Sequence, residues 1–230
     1  TTVTTVSEVL VTATRRVRAP GQLAVAVTAV PREQLQATGS SDAGEAAGQL
    51  GGVLATNLGP GRNKLLLRGL SDGAYTGRAR SIVATYRDEI PINYNAPDPD
   101  LRLVDVERVE VARGPQGALY GAGSLSGIYR IGEGFSNVPL WRDVAAIRVS
   151  GYDETQGGYL DDIQQNRSNV DRTVRRGARM SIFVRPLDDW SVTLTAQGQH
   201  LRSDDTHYTS PGMGLTRSVR IPEPHVNDIT

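Results

Sequence analysis

The chain has 230 residues, with 25 Lys+Arg against 25 Asp+Glu, so its net charge is zero and no basic field favours nucleic acid. It has no cysteine, which excludes a disulfide framework, while 25 Gly and 12 Pro make it turn-rich. No apolar run approaches the eighteen residues a membrane helix needs, a test that strands escape because they alternate.

The first stretch, TTVTTVSEVLVTA, is rich in β-branched residues and free of Gly and Pro, so it reads as a strand or as an extended segment. It lacks a basic region followed by an apolar one, so no signal peptide is read in this chain. A basic spacer follows at Arg15, Arg16 and Arg18. Alternation predicts a strand over Leu23 to Val30, closed by Pro31, and a short helix from Arg32 to Gln36. Ser41, with Glu45 nearby, predicts a cap for a helix from Asp42 to Leu54, weakened by glycines 44, 48, 51 and 52. Short strands are expected at Leu65 to Arg68, Ile82 to Tyr86 and Ile90 to Asn93. Asp98-Pro99-Asp100 is expected to start a short helix over Leu101 to Val104.

Val106 to Arg113 alternates, with Val106, Arg108, Glu110 and Ala112 on one side and Glu107, Val109, Val111 and Arg113 on the other. Five glycines follow within fourteen residues, at 114, 117, 121, 123 and 127, and a short apolar strand closes the element at Ile128 to Ile131. Glycine serves positive φ or close backbone approach. A phosphate loop would need Gly-Lys-Ser/Thr before a helix, and Gly121-Ala122-Gly123-Ser124-Leu125-Ser126 runs instead toward a strand. Mixed short strands and helices over these residues predict an α+β domain.

Beyond Ile131 the helix signals stop. Val144 to Gly151, Arg175 to Arg185 and Trp190 to Gln199 each alternate apolar with polar residues. Ile147, Met180 and Leu194 are expected to face lipid, and Arg148, Arg179 and Thr193 the lumen. Arg185 to Asp189 is a short turn, whereas Asp153 to Arg172 and Ser203 to Thr230 read as long polar loops. Short turns, long loops and an apolar dyad face fit antiparallel transmembrane β-barrel strands, too few here to close a barrel, although a soluble sandwich would alternate in the same way. His200, His207 and His225 fit no metal spacing and are read as surface histidines, so neither a catalytic residue, a metal nor a cofactor is assigned.

The run VERVEVARGPQGALYGAGSLSGIYRI resembles the end of the plug domain of TonB-dependent outer-membrane receptors. Glu107, Glu110, Arg113, Gly114, Pro115, Leu119, Tyr120, Gly121, Ser124 and Gly127 fall in step with that pattern. Ser126 departs from a usual glycine, and Tyr129 from a usual isoleucine, so the last strand is expected to pack differently. The stretch from Arg68 and Gly69 to Thr76, and Y-R-D-E-I-P at 86–91, follow the same resemblance.

The resemblance implies three segments: 1–18 as a TonB box and spacer, 19–131 as plug, and 132–230 as the first barrel strands. Glu8, Val9, Leu10, Val11, Thr12 and Ala13 are similar to a TonB box, an extended peptide to which the TonB C-terminal domain adds a strand. The implied protein is an active transporter of the bacterial outer membrane, with outer-membrane lipid and an extracellular small-molecule substrate as further partners. The cargo would be a metal–siderophore, cobalamin or an oligosaccharide. The glycines would serve close packing of the plug, Tyr120 would anchor its core, and Arg68 and Arg113 would face barrel carboxylates. Family members place a further strand and loop where Ile131 here runs straight into Gly132-Glu133-Gly134-Phe135, so a longer receptor with an internal gap is expected. The alternative is a truncated, non-transporting plug-like subunit. An enzyme is not expected.

Overall fold

A computed structural model describes residues 11–12, 15, 19–73, 79–92, 95–121, 123–133, 138–142, 144–187 and 189–229. The chain forms two compact units, Thr1–Thr56 with Asn63–Gly134, and Asn57–Arg62 with Phe135–Thr230.

The first unit opens with a 3-10 turn, Pro20–Gln22, then strand β1 (Ala26–Pro31), helix α1 (Arg32–Ala37) and helix α2 (Ala43–Ala47). Strands β2 (Val53–Ala55), β3 (Leu65–Leu67), β4 (Ala79–Arg80), β5 (Val83–Arg87), β6 (Ile90–Pro91) and β7 (Asn95–Ala96) follow. The glycine-rich element closes it as β8 (Val106–Arg113), helical turn α3 (Gly117–Tyr120) and β9 (Gly127–Glu133). The main sheet runs β1-β8-β9-β5-β6, with only β5–β9 parallel. It is a mixed sheet with short helices, as the residue pattern predicts.

Register follows from the two-residue period of β8. Ala112 opposes Ile128, and both join Ala84, Tyr86 and Tyr120 in one apolar cluster. The alternate residues Val109, Val111, Tyr129 and Ile131 are equally buried on the opposite face. Tyr129 does pack as more than an isoleucine could: its hydroxyl donates to Ala43 O at 2.7 Å, tying the sheet to α2. Burial pushes that phenol well above its ordinary range.

Three local expectations need correction. The helix after Ser41 stops at Ala47 instead of reaching Leu54. Gly52 lies at φ +77°, and Val53–Ala55 leaves the helix to pair with Leu65–Leu67. Its cap is Asp42, whose carboxylate accepts from Glu45 N, while Ser41 donates its amide and hydroxyl to the Glu45 carboxylate. Burial opposes ionisation of Glu45, but those two donors prevail and hold its pKa below the usual value. Residues 101–104 form no helix. Leu101 O and Leu103 N bond to Ala43 N and Ser41 O, and Asp98 accepts from Leu65 N at 3.0 Å and the Thr85 hydroxyl at 2.8 Å, so that segment stays extended.

The second unit contains β10 (Val138–Trp141), β11 (Ala145–Gln156), β12 (Asp161–Asp162), β13 (Thr173–Leu187), β14 (Trp190–Ser203), β15 (Thr216–Arg217) and β16 (His225–Ile229). Its main sheet is antiparallel, in the order β10-β11-β13-β14-β16, and β12 and β15 pair separately in parallel. The dyads align across it: Ile147, Ile182 and Leu194 in one row, Val149, Met180 and Ala196 in the next. Val149, Met180 and Leu194 are exposed, whereas Arg148 and Arg179 on the other face are buried.

The strands outrun the hydropathy signal. Beyond Gly151 the ladder continues through opposite charges, with Asp153 facing Arg176 at 3.0 Å and Glu154 facing Arg175 at 3.6 Å. The stretch read as one long loop after Ser203 returns as β16 along β14. The loops are tied down rather than merely polar. Arg217, fully buried, lies between Asp162 and Asp205, and Asp171 accepts from Tyr159 N and Leu160 N. His200 is exposed as expected, but His207 and His225 are partly buried, His207 beside Asp171 at 3.9 Å. No helix is long and apolar enough to cross a membrane among the described residues, which says nothing of strands.

A charge on the exposed apolar face should cost about 2–4 kcal/mol near mid-membrane. Leu194→Arg is therefore expected to assemble poorly in the outer membrane, and Thr193→Arg to assemble normally. Heat-modifiability on gels of outer-membrane fractions reads the difference, and equal assembly of the two would remove the lipid-facing assignment.

Candidate functional site

The most concentrated polar constellation in the first unit lies on one face of the central strands. Glu110 of β8 opposes Arg130 of β9, and Arg108 opposes Gly132. Glu110 also sits opposite Ala29 of β1. The small residues leave a groove: a Cβ on Gly132 would already meet Arg108 Cγ at 3.4 Å and Arg130 Nη1 at 3.6 Å. Glu110 is fully buried at the groove floor.

Of the N-terminal segment, Val11, Thr12 and Arg15 are described, and they lie at this groove. Thr12 N donates to the Glu110 carboxylate at 2.9 and 3.0 Å, and its hydroxyl does so at 3.1 Å. Arg108 Nε donates to Glu110 at 2.5 Å, and Arg108 Nη2 to the Thr12 hydroxyl at 3.1 Å. Arg130 Nη1 also reaches that hydroxyl and lies 3.6 Å from Glu110. Val11, next to Thr12, is fully buried. Arg15 lies over the Tyr120 ring, 5.2 Å from its centre, and 3.6 Å from Glu89. A buried carboxylate is tolerable only when donors surround it, and here a backbone amide, a hydroxyl and two guanidinium groups do so.

Of the residues singled out from the sequence, Val11 and Thr12 enter this groove; Glu8, Val9, Leu10 and Ala13 lie outside the described residues. Glu107 accepts from Arg108 Nη1 at 2.5 Å at the groove's edge. Tyr120 is buried and packs edge-on to Tyr86 at 4.8 Å, and burial raises its pKa to about 12.

Arg68 and Arg113 fall outside the groove. Arg68, at φ +54°, and Gly69, at φ +76°, make the exposed turn after β3. Arg113 donates to the Thr28 hydroxyl at 2.6 Å and to Gly51 O at 2.5 Å. Its pKa is lowered, first by burial and then by the charge of Arg68.

The glycines divide into two kinds. Close packing holds at Gly127, where a Cβ would collide with Ala112 O and Leu67 Cδ2, and at Gly123, where it would lie 3.3 Å from Ser81 O. Gly114 and Gly121 have nothing within 4 Å of a Cβ and are instead required by φ values of +94° and +70°. Pro115 is exposed beside them. Arg108, Arg130, Arg15 and Glu89 were not legible as site residues. The one available signal was Arg130, a lone charge inside the apolar run Ile128 to Ile131.

Five mixed strands with a docked N-terminal segment, followed by an antiparallel meander with an exposed apolar face, define a plug joined to membrane-type strands. Residues 20–128 match the family model of the TonB-dependent Receptor Plug Domain. The plug-like unit of this chain therefore belongs with the plug domains of TonB-dependent receptors.

Solved structures agree in fold. The ferric yersiniabactin uptake receptor of Yersinia pestis is 21% identical, with a TM-score of 0.67 over 78% of this chain and 32% of that one. The ferripyoverdine receptor of Pseudomonas aeruginosa is 17% identical, with a TM-score of 0.69 over 86% of this chain and 28% of that one. A copper transporter is 14% identical, with a TM-score of 0.55 over 71% and 28% of the two chains. The chain thus spans about a third of the length of the receptors it matches.

Proposed function

We propose that this chain supplies the plug and first strands of a TonB-dependent transporter that takes up a scarce nutrient across the bacterial outer membrane. Residues 1–18 serve as TonB box and spacer, 19–131 as plug and 132–230 as barrel strands. The observation that carries the reading is the N-terminal segment held by Thr12 on the buried Glu110 of the central plug strand. A segment so placed can be pulled by a partner, and its withdrawal acts directly on the middle of the plug sheet.

Glu8 to Ala13 is the segment to which the TonB C-terminal domain adds a strand, since β-branched extended peptides suit such pairing. Arg68 and Arg113 are offered to carboxylates of the barrel. A metal–siderophore is the favoured cargo over cobalamin or an oligosaccharide, because two of the solved structures it resembles carry ferric yersiniabactin and ferripyoverdine in their names. The lipid contact is made by the exposed face that includes Val149, Met180 and Leu194.

The test is Leu10→Pro in the full-length receptor. Proline removes a ladder donor and fixes φ, so energised uptake should be lost while substrate binding stays normal. Uptake at the wild-type rate would show that residues 8–13 are not the TonB contact.

A further inference from the structure

The turn between β5 and β6 is strained and is held from outside itself. Asp88 adopts φ +51°, a left-handed conformation that a non-glycine residue occupies at a cost. Its amide donates to Ile131 O at 2.8 Å, and its carbonyl accepts from Arg130 Nε at 2.9 Å. The next residue, Glu89, accepts from Arg130 Nη2 at 3.2 Å and lies 3.6 Å from Arg15.

The same Arg130 guanidinium faces the N-terminal segment with its remaining nitrogen, through the Thr12 hydroxyl and Glu110. One planar group therefore spans two structures: the docked segment on one side, the Asp88–Glu89 turn on the other. Its fork is rigid, so it cannot follow one partner without leaving the other.

We propose that Arg130 relays the docking state of the N-terminal segment to the Asp88–Glu89 turn. With Thr12 in place, Glu110 is satisfied mainly by Thr12 and Arg108, and Arg130 directs Nε and Nη2 to the turn while only Nη1 faces Thr12 and Glu110. When the segment leaves, Glu110 loses both Thr12 donors while still deep in the sheet. An under-bonded buried carboxylate draws a further donor; Arg108 already binds it at 2.5 Å, and the other cation within reach is Arg130, at 3.6 Å. The guanidinium closes on Glu110 and swings off Glu89 and Asp88 O. Glu89 loses Arg15 in the same event, because Arg15 belongs to the departing segment. The turn is then left with its left-handed residue and without either basic partner. Withdrawal of the segment thus loosens a second part of the plug without breaking the central strands. The inference rests on reading the N-terminal segment as the one that is withdrawn.

Hydrogen exchange read by mass spectrometry on the full-length receptor in detergent tests it. Deleting residues 1–15 should speed exchange at 87–92 on the order of tenfold, the scale set by losing a charge-assisted hydrogen bond. Thr12→Val, which keeps the amide donor and the fold, should give a smaller increase at the same amides. Exchange at 109–111 should stay slow in both, showing that the sheet is intact. In Arg130→Lys the turn should exchange fast already and no longer respond to the deletion. Unchanged exchange at 87–92 on deletion would overturn the relay, as would a deletion response that survives Arg130→Lys. The TonB reading fails separately: wild-type uptake by Leu10→Pro would sink it while leaving these exchange rates as expected.

Discussion

Gly127→Val is expected to destabilise the plug by about 4–5 kcal/mol, at the extreme of single substitutions. The residue begins β9 at φ +152°, a conformation that L side chains rarely adopt, and a Cβ there would collide with Ala112 O and Leu67 Cδ2. The carbonyl cannot retreat, because Ala112 is in register with Ile128 on the strand that Gly127 starts. Leu67 cannot retreat either, being 1% exposed in the core of its own ladder with Val53. Gly121→Ala supplies the control. Its Cβ would meet nothing within 4 Å, so only the strain at φ +70° is left, roughly 1–3 kcal/mol. Urea-dependent proteolysis of the plug in the full-length receptor should therefore rank Gly127→Val far below Gly121→Ala. The barrel is expected to stay assembled, since its ladder is its own, and small-solute leak should rise most in Gly127→Val. Equal protease resistance in the two variants would refute the close-packing role of Gly127.

Glu110→Ala should cost about 3–5 kcal/mol, the penalty for leaving buried cations without their counter-charge. Arg130 has a side chain only 7% exposed, and both it and Arg108 direct nitrogen atoms at the missing carboxylate. Thr12 loses its anchor in the same change, so a nitroxide at position 10 should become more mobile. Glu110→Gln keeps an acceptor for Thr12 N and should fall between wild type and Ala. Thermal unfolding of the plug and the spectrum of the label check the two effects together. A Glu110→Ala plug melting with wild type, its label unchanged, would show that the carboxylate neither stabilises the sheet nor holds the segment.

Much of this architecture was legible from local pattern. The alternation of Val106 to Arg113 placed β8 and its two faces, and the dyads through Ile147, Met180 and Leu194 placed three strands whose rows align in register. Such readings succeed because a period of two is a property of neighbouring residues. They failed where composition stopped tracking the backbone. β11 runs on through Asp153 and Glu154, and the polar stretch near the end pairs as β16, because a ladder needs only amides and carbonyls.

The sequence by itself carried the resemblance to the plug domain, the strands that alternate and a cluster of five glycines at 114, 117, 121, 123 and 127, of which Gly117 turns out to need neither positive φ nor close packing. What it could not determine was which polar residues meet. Thr12 reaches Glu110 across 98 positions and Arg130 across 118, and Asp98 joins Leu65 to Thr85 instead of starting a helix. Nor could it separate the glycines that avoid a neighbour from those that only turn the chain. These outcomes depend on what lies opposite in space. A buried carboxylate takes whichever donors the folded sheet brings within reach, and only the tertiary structure decides which those are.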